Sequence, residues 1–411
     1  MKIFKNKKRK IIITTLVSTF VVTGLIITYY NSIPKEEPLI GAYIDGTYSE
    51  TLPSKGSGYK VEKIVCDNNK NASWDYNKWG IKLSNWRTRS RCNIYFKSLE
   101  NITIADKTFY LDEMQRCPTM NSDGTVTVTG AEDTYGYLCK AKDAYGDSYY
   151  YRGNVTNNYV KFAGFYWRII RINGDGTVRV IYDGTSAHAN GDASADRQIG
   201  TSDFNSSYND NAYVGYMYGQ TDASTYAETH ANTNNSTIKT YLDTWYENNI
   251  KGTTNEQYIA DNIFCNDRSF ASDNSGTGVG ISETYYRRYN FASSLMLTCL
   301  QKNDAFTVND TNNGNGALTY GVGLATNDEV VLAGGWNLEN SKYYLYSGQN
   351  YWTMSPLSFD GDDARERNVN SNGSADGIYY VDGKRGVRPV FNLSSGILKN
   401  GNGTASDPYH A

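Results

Sequence analysis

The chain of 411 residues carries 40 basic and 43 acidic side chains, and 39% of its residues are hydrophobic. This is a globular composition rather than a disordered one, and the length suffices for two or three domains. The first ten positions hold six basic residues and no acid, so the rest of the chain has 34 positive and 43 negative side chains, a net charge of −9. Such a surface repels phosphate backbones, which argues against a nucleic-acid partner.

An uninterrupted apolar run, Ile11–Tyr30, follows this basic segment and contains neither a charged residue nor a proline. A helix of about twenty residues, at about 1.5 Å per residue, spans a hydrocarbon core of about 30 Å. We therefore predict a transmembrane signal anchor over residues 11–30, with residues 1–10 as a cytoplasmic basic tail and the rest of the chain outside the cell. This predicts a single-pass protein of the cell membrane. A cleaved secretory signal is the alternative, although no Ala-x-Ala site follows the run.

Short alternating strands are predicted after a proline-containing stalk at residues 31–40. Runs such as Tyr59–Cys66 and Arg91–Phe96 alternate apolar and polar residues and are separated by clusters of Gly, Asn, Ser and Asp. This pattern is typical of a small all-β domain. We assign residues 41–104 to a small all-β sandwich and residues 105–148, where the pattern weakens, to a connector that contains cysteine.

Six cysteines, an even number, all follow the predicted anchor. Because they are clustered, the sequential pairing is the most economical one, and it predicts disulfides Cys66–Cys92, Cys117–Cys139 and Cys265–Cys299. Each bridge adds about 3 kcal/mol by restricting the unfolded chain. Unpaired structural cysteines are the alternative. The sequence has no Cys-x-x-Cys motif and only three histidines, so we expect no metal site and no cofactor.

The clearest local structure is a β-hairpin in which Tyr159–Ile172 and Thr177–Tyr182 flank the turn Asn173–Gly176. Both faces of its first strand carry apolar side chains, since Trp167 lies on one face and Ile170 on the other. Strands with two apolar faces are buried on both sides, so we expect this hairpin to be central to its domain.

One helix with clear periodicity is predicted over Ser236–Asn249, and its first residue is suited to capping it. Ile238, Leu242 and Trp245 recur at the spacing of a single helical face. The polar face has no basic stripe, so a helix docked on the core is favoured over a membrane or partner helix.

The C-terminal third resembles a known fold in two short motifs. Trp352-Thr-Met-Ser-Pro356, followed about thirty residues later by Gly386-Val-Arg-Pro-Val-Phe391, resembles the closing strands of a C-type-lectin-like domain. With Tyr166–Gly176 and Phe264–Arg268, these motifs resemble an uncharacterised family of Gram-positive bacterial surface proteins that shares the fold of formylglycine-generating enzymes. The resemblance implies an α+β C-type-lectin-like domain over residues 149–411, but the fold alone does not fix a function.

No catalytic constellation stands out, because the sequence lacks a Gly-x-Ser-x-Gly elbow and its histidines lie in polar stretches. A non-catalytic surface module for ligand binding or adhesion is favoured, with an extracellular glycan, protein or host-matrix ligand. The alternatives are a formylglycine-generating or wall-modifying enzyme, and a structural or sensory envelope protein. Aromatic and orienting polar side chains in the long C-terminal loops are expected to form the contact surface. They are Trp336, Tyr344, Tyr346, Asp362 and Arg365.

Overall fold

The computed structural model describes eight segments of the chain. They are residues 39–53, 59–67, 72–75, 79–83, 91–98, 117–291, 294–394 and 400–411. The chain divides into two compact units, residues 1–99 and residues 100–411. Each unit has its own hydrophobic core.

Short strands make up most of the described part of the first unit. They are β1 (Leu39–Ile44), β2 (Thr47–Ser49), β3 (Tyr59–Cys66), β4 (Ala72–Asp75), β5 (Gly80–Leu83) and β6 (Arg91–Ser98). Four of them form a sheet in the order β2-β1-β6-β3, in which β1 and β6 run parallel. The other two, β4 and β5, form a separate antiparallel hairpin. The residues predicted to form a small sandwich therefore fold as a sheet and a hairpin.

The core of the first unit is small. Ile94 and Phe96 of β6 are fully buried, and the ring of Trp74 meets Phe96 edge-on at 5.4 Å. Alternation along β6 turns these side chains inward, as period-2 patterning requires. Cys66 and Cys92 lie opposite each other in β3 and β6 and form a disulfide, which supports a unit whose apolar core is marginal.

The described part of the second unit contains eighteen strands, most of them short. In chain order they are β7 (Thr119–Met120), β8 (Val126–Thr127), β9 (Gly136–Asp143), β10 (Gly146–Gly153), β11 (Tyr159–Phe162), β12 (Phe165–Ile172), β13 (Val178–Gly184), β14 (Thr201–Ser202), β15 (Met217–Tyr218), β16 (Asn234–Asn235), β17 (Phe264–Cys265), β18 (Thr284–Tyr285), β19 (Ala305–Phe306), β20 (Tyr351–Phe359), β21 (Ala364–Val369), β22 (Gly377–Tyr380), β23 (Arg385–Gly386) and β24 (Val390–Leu393).

Two six-stranded sheets form the body of this unit. The first has the order β24-β13-β12-β10-β9, with β11 also paired to β12. The second has the order β14-β23-β20-β21-β22, with β18 also paired to β20. Two-stranded ribbons are formed by β7 with β8, β15 with β16, and β17 with β19.

The predicted hairpin is confirmed around its turn as β12 and β13, two inner strands of the first sheet. Its first predicted strand, Tyr159–Ile172, is wrong in extent, because a turn at Ala163 and Gly164 divides it into β11 and β12, which pair with each other. From Trp167 onward β12 is buried, and every residue of β13 is buried. The two strands are buried because their apolar side chains lie on both faces and both sides of an inner strand are covered. Gly176 closes the turn with a φ of 84°, a conformation that glycine adopts without strain.

Three α-helices lie in the described part of the chain. They are α1 (Tyr226–Thr229), α2 (Thr237–Asn249) and α3 (Asn327–Leu332). The predicted helix is confirmed as α2, and the Ser236 side chain accepts a hydrogen bond from the Lys239 amide at 3.2 Å. Ile238 and Leu242 are buried as expected, whereas Tyr246 is buried in place of Trp245, which is half-buried.

The prediction of a transmembrane helix is not supported. Among the helices of the described segments, none is long and apolar enough to cross a membrane. The longest, α2, has 13 residues and is about 20 Å long, less than a hydrocarbon core of about 30 Å. The predicted anchor, residues 11–30, lies outside the described residues together with the basic tail, residues 1–10. The single-pass topology and the cell-membrane localisation therefore find no support in the structure.

The prediction of an α+β C-type-lectin-like domain over residues 149–411 is also corrected. The described chain is β-rich, and α1 and α3 have only four and six residues, too short to form a helical layer beside the sheets. The part of the predicted connector that the structure describes, residues 117–148, is not separate either. It supplies the ribbon of β7 and β8 and the edge strand β9 to the second unit.

Candidate functional site

An open groove of about 620 Å³ runs beside α2 in the second unit, within the roughly 300–1,000 Å³ typical of small-ligand sites. One wall is a face of the helix, and it consists of Thr237, Thr240, Tyr241, Thr244, Trp245 and Asn248. The other wall comes from the end of β14 and the loop after it, from the β15–β16 ribbon and from the cap of α2. It consists of Ser202, Asn205, Ser206, Tyr218, Asn235 and Ser236. We call this site the α2 groove.

Helical periodicity explains the first wall. The six helix residues recur at steps of three and four, so they form one face of α2. Ile238, Leu242 and Tyr246 occupy the opposite face and are buried in the core. Because the core side holds the helix in place, the hydroxyl and aromatic side chains are left to face the groove.

Hydrogen bonds from both main chain and side chains attach the second wall to the start of α2. The Ile238 amide donates to the Phe204 carbonyl at 3.1 Å, and the Ser206 amide donates to the Thr237 hydroxyl at 2.9 Å. The Ser236 hydroxyl donates to the Tyr216 carbonyl at 2.7 Å, which fixes the β15–β16 ribbon beside the helix cap. The groove is therefore formed by α2, by the ribbon and by a loop after β14 that hydrogen bonds attach to the helix.

Three half-buried aromatic rings line the groove. Trp245 packs against Phe165 at 5.5 Å and against Trp167 at 6.2 Å. Tyr218 meets the ring of Tyr213 edge-on at 5.4 Å, and the Tyr241 hydroxyl donates to the Ile199 carbonyl at 3.4 Å. These contacts hold the rings in one orientation, so they present preformed apolar surfaces to a ligand.

The groove has no charged side chain among its described lining residues. Three aromatic residues alternate there with three serines, three threonines and three asparagines. Burial raises the pKa of Tyr218 above its ordinary value of 10.0, so this phenol is neutral at physiological pH. With neither a carboxylate nor a histidine in the lining, the groove lacks the acid and base that hydrolytic catalysis uses.

One lining residue has an unsatisfied polar group. Asn205 is 2% exposed, and its side-chain amide nitrogen has no hydrogen-bond partner. Buried polar groups in folded proteins are nearly always paired. The amide of Asn205 is therefore a feature that packing within the groove does not explain.

The predicted contact residues do not lie in this groove, and Tyr344 is excluded from any contact surface. Tyr344 is fully buried, and its hydroxyl donates to the Tyr151 carbonyl at 3.3 Å. Trp336 is half-buried with its ring edge-on to Phe291 at 5.4 Å. Tyr346 is also half-buried, and its amide donates to the Tyr343 carbonyl at 3.0 Å.

The two predicted polar contact residues are at the turn between β20 and β21. Asp362 is exposed, and its amide donates to a carboxylate oxygen of Asp360 at 3.3 Å. Arg365 pairs with the same Asp360 and lies over the ring of Tyr380 at 4.8 Å. The Asp362 main chain and the Arg365 side chain thus help to order this turn, and the part of both residues in ligand contact stays a prediction.

All six cysteines are paired, in the sequential order 66–92, 117–139 and 265–299. No reactive thiol remains, because none of the cysteines is free. Within the segments that the structure describes, no cluster of three or more His, Cys, Asp or Glu side chains is arranged to hold a metal ion.

Sequence reasoning missed the groove because its two walls carry different signals. Thr240, Tyr241, Thr244 and Asn248 do recur at helical spacing, so the helix wall could have been found by asking what the second face of α2 presents. Asn205 stands in a polar stretch with no period, and nothing in the local sequence places it beside the helix.

Comparison with known proteins gives one match. The family model described as Domain of unknown function (DUF6273) matches residues 197–395, a segment that contains every residue of the α2 groove. No curated protein and no solved structure matches the chain. The family match carries neither a C-type-lectin-like fold nor a Gram-positive origin. It agrees with the expectation of an uncharacterised family: a DUF6273 domain, whose function is unknown, covers residues 197–395.

Proposed function

We propose that this chain is a non-catalytic ligand-binding module and that the α2 groove binds a neutral oligosaccharide. The observation that carries the proposal is the lining, in which aromatic rings alternate with hydroxyl and amide side chains and no charge is present. Sugar rings present C–H faces that stack on aromatic side chains and hydroxyls that pair with Ser, Thr and Asn. The lining matches both properties.

The shape of the groove fits a chain of sugars better than a single ring. Its helix wall extends from Thr237 to Asn248, about 16 Å along the axis at about 1.5 Å per residue. Its volume is about 620 Å³, and it is open to solvent. An elongated ligand can therefore lie along α2 and contact the rings in succession.

The described groove lining contains no carboxylate and no reactive cysteine, which favours ligand binding over catalysis. A glycosidase positions two carboxylates on either side of the scissile bond, and the described lining has none. An enzyme of the formylglycine-generating type needs reactive cysteines, and all six are in disulfides. A structural or sensory role, in turn, leaves the preformed groove unexplained.

Titration calorimetry of the full chain against neutral oligosaccharides tests the proposal. We expect binding by the native chain and its loss in Thr244→Arg, because Thr244 is exposed on the groove wall and an arginine there fills the groove and adds a charge. Thr254→Arg is the matched control, since Thr254 is exposed outside the lining. The proposal is abandoned if no neutral oligosaccharide binds the native chain, or if Thr244→Arg binds as well as Thr254→Arg does.

A further inference from the structure

A second pocket of the second unit, of about 320 Å³, shares no lining residue with the α2 groove. It is bounded by the β7–β8 ribbon, by the loop after β8 and by Arg152 of β10, and we call it the Arg152 pocket. Three exposed threonines, Thr119, Thr127 and Thr129, are among its lining residues. Its volume is at the lower end of the roughly 300–1,000 Å³ found for small-ligand sites, so it suits a small molecule.

Arg152 differs from the other buried arginines of the described segments. Each of the eight others lies within 4.0 Å of a carboxylate, whereas Arg152 has no such contact. Its Nη1 donates to the Val331 and Leu332 carbonyls, at the C-terminal end of α3, at 2.9 and 3.0 Å. Its Nη2 donates to the Gly130 carbonyl at 2.7 Å. Carbonyl dipoles solvate the guanidinium, but they do not cancel its charge.

Part of this guanidinium is available at the pocket. It has five N–H groups, and the hydrogen bonds to the three carbonyls leave two of them, including Nε–H, without a partner among the described residues. Gly130, which accepts from Nη2, is itself a lining residue, so this end of Arg152 is at the pocket wall. In contrast to the unpaired Nε of Arg179, that of Arg152 is not sealed from solvent.

A carboxylate lines the same pocket without forming an ion pair with Arg152. Glu132 is half-buried, and its Oε1 accepts hydrogen bonds from the Thr134 and Tyr135 amides at 3.0 and 3.1 Å. Its Oε2 accepts none from the described residues. Burial lowers the pKa of Arg152, and Tyr150 and Glu132 offset part of this effect, so Glu132 is close enough to act on the guanidinium. The pocket thus offers one group of each charge.

We propose that the Arg152 pocket binds a small zwitterion, a free amino acid, with its carboxylate on Arg152 and its ammonium group on Glu132. Guanidinium N–H groups match carboxylate oxygens in geometry, and an ammonium group donates up to three hydrogen bonds. A simple anion would be attracted by Arg152 but repelled by Glu132, and a simple cation would have the reverse problem. A ligand that carries both charges meets no like charge at either end.

Saturation-transfer NMR with the twenty common L-amino acids, each added alone to the full chain, tests the proposal. We expect at least one of them to bind, and Thr244→Arg, which fills the α2 groove, should not alter this binding. The amino acid that binds is then compared with its N-acetyl derivative, which lacks the ammonium group, and with its carboxamide, which lacks the carboxylate. Calorimetric titration should show each derivative binding at least about tenfold more weakly, because each loses a hydrogen bond between charged groups.

Glu132→Gln tests the ammonium contact. The side-chain amide keeps an oxygen that can accept from Thr134 and Tyr135, but it has no charge. The free amino acid should therefore lose about tenfold in affinity, while its N-acetyl derivative binds the variant as it binds the native chain. Glu339→Gln, at an exposed position outside the pocket, is the matched control and should change neither affinity.

Three results would overturn the proposal. They are that no amino acid binds the native chain, that either derivative binds it as tightly as the free amino acid does, and that Glu132→Gln weakens the free amino acid and its N-acetyl derivative equally. Should Glu132→Gln not fold, as judged by its thermal unfolding, the comparison of the three ligands on the native chain decides alone.

Discussion

Two buried glutamates of the second unit have opposite surroundings. Glu366 is fully buried, and neither of its carboxyl oxygens has a hydrogen-bond partner, so burial raises its pKa well above 4.5. Glu329 is also buried, but it contacts Arg179 at 2.6 Å and Arg171 at 3.0 Å. Although burial opposes ionisation, the two guanidinium groups hold the pKa of Glu329 below its usual value. At neutral pH Glu366 is the harder of the two to ionise.

We predict that Glu366→Gln stabilises the protein at high pH. The folded-state pKa of Glu366 lies above the unfolded value, so the folded state binds the proton more tightly and the native chain loses stability as pH rises above about 4.5. A neutral amide removes this loss. Thermal unfolding should show a gain of about 1 kcal/mol or more at pH 8, shrinking towards pH 5. An equal effect at both pH values would contradict the assignment.

Glu329→Gln should have the opposite effect. Its loss removes the ion-pair partner of buried Arg179 and leaves Arg171 with Asp143 alone, at 2.7 Å. Breaking a buried ion pair in this way costs about 3–5 kcal/mol. Because the folded-state pKa of Glu329 is depressed, its contribution is present above the unfolded value of about 4.5 and is lost as pH falls through the folded-state pKa. Denaturant unfolding of the native chain and of Glu329→Gln, at pH 7 and at low pH, measures the difference in their unfolding free energy. A variant as stable as the native chain at pH 7 would refute the ion-pair account.

At the scale of single elements, adjacent residues of α2 have different roles, since one packs in the core and the next lines the groove. Leu242 is fully buried in the core, whereas Tyr241 is half-buried and faces the groove. One turn of helix thus carries both a packing residue and a residue proposed to contact ligand.

Substitution of these two neighbours should give different results. Leu242→Ala should cost about 2–5 kcal/mol of unfolding free energy, because it removes buried volume from the core. Tyr241→Ala should weaken oligosaccharide binding by about five-fold, the equivalent of about 1 kcal/mol for one ring contact, at a smaller cost in stability. Calorimetric unfolding and sugar titration on both variants measure the two effects. Equal binding by Tyr241→Ala and the native chain would show that the ring makes no contact.

The elements that the sequence predicts well are those with a local period. The hairpin of β12 and β13 follows from apolar residues on both faces and a Gly-containing turn, and α2 follows from its cap and its 3.6-residue period. The groove is not local in this sense. Asn205 reaches the helix because Phe204 accepts a hydrogen bond from Ile238, a contact between segments that are far apart in the sequence. Local patterning carries no information on such a contact.

At the scale of the whole chain, the pairing of β13 with β24 also joins segments that are far apart in the sequence. Val178 lies opposite Leu393 in the first six-stranded sheet, and short polar segments with no clear period separate most of the elements between them. The two strands are predictable one by one, but their pairing depends on the packing of the entire second unit. The closing motifs carry no information on this pairing, and the α+β architecture that their resemblance implied is not the one observed.

The disulfides should stabilise each unit separately. Cys66–Cys92 closes a loop with a sequence separation of 26 in the first unit, where the apolar core is small. Replacing both cysteines by alanine should remove about 3 kcal/mol from that unit and raise its amide hydrogen exchange, without changing sugar binding. Replacing Cys265 and Cys299, with a separation of 34, should destabilise the second unit by a similar amount. Loss of sugar binding in the first variant would contradict a groove built by the second unit alone.

The pairing of β24 with the first sheet limits which fragments of the chain can keep the groove intact. The family match begins at residue 197. However, β24 pairs with β13, and Trp245 packs against Phe165 and Trp167. The partners β13, Phe165 and Trp167 all precede that boundary. A fragment trimmed to residues 197–395 would expose the apolar faces of β24 and α2 and lose the support beneath the groove. The smallest recombinant piece that retains the groove with its support must therefore begin upstream of the first six-stranded sheet and extend through β24.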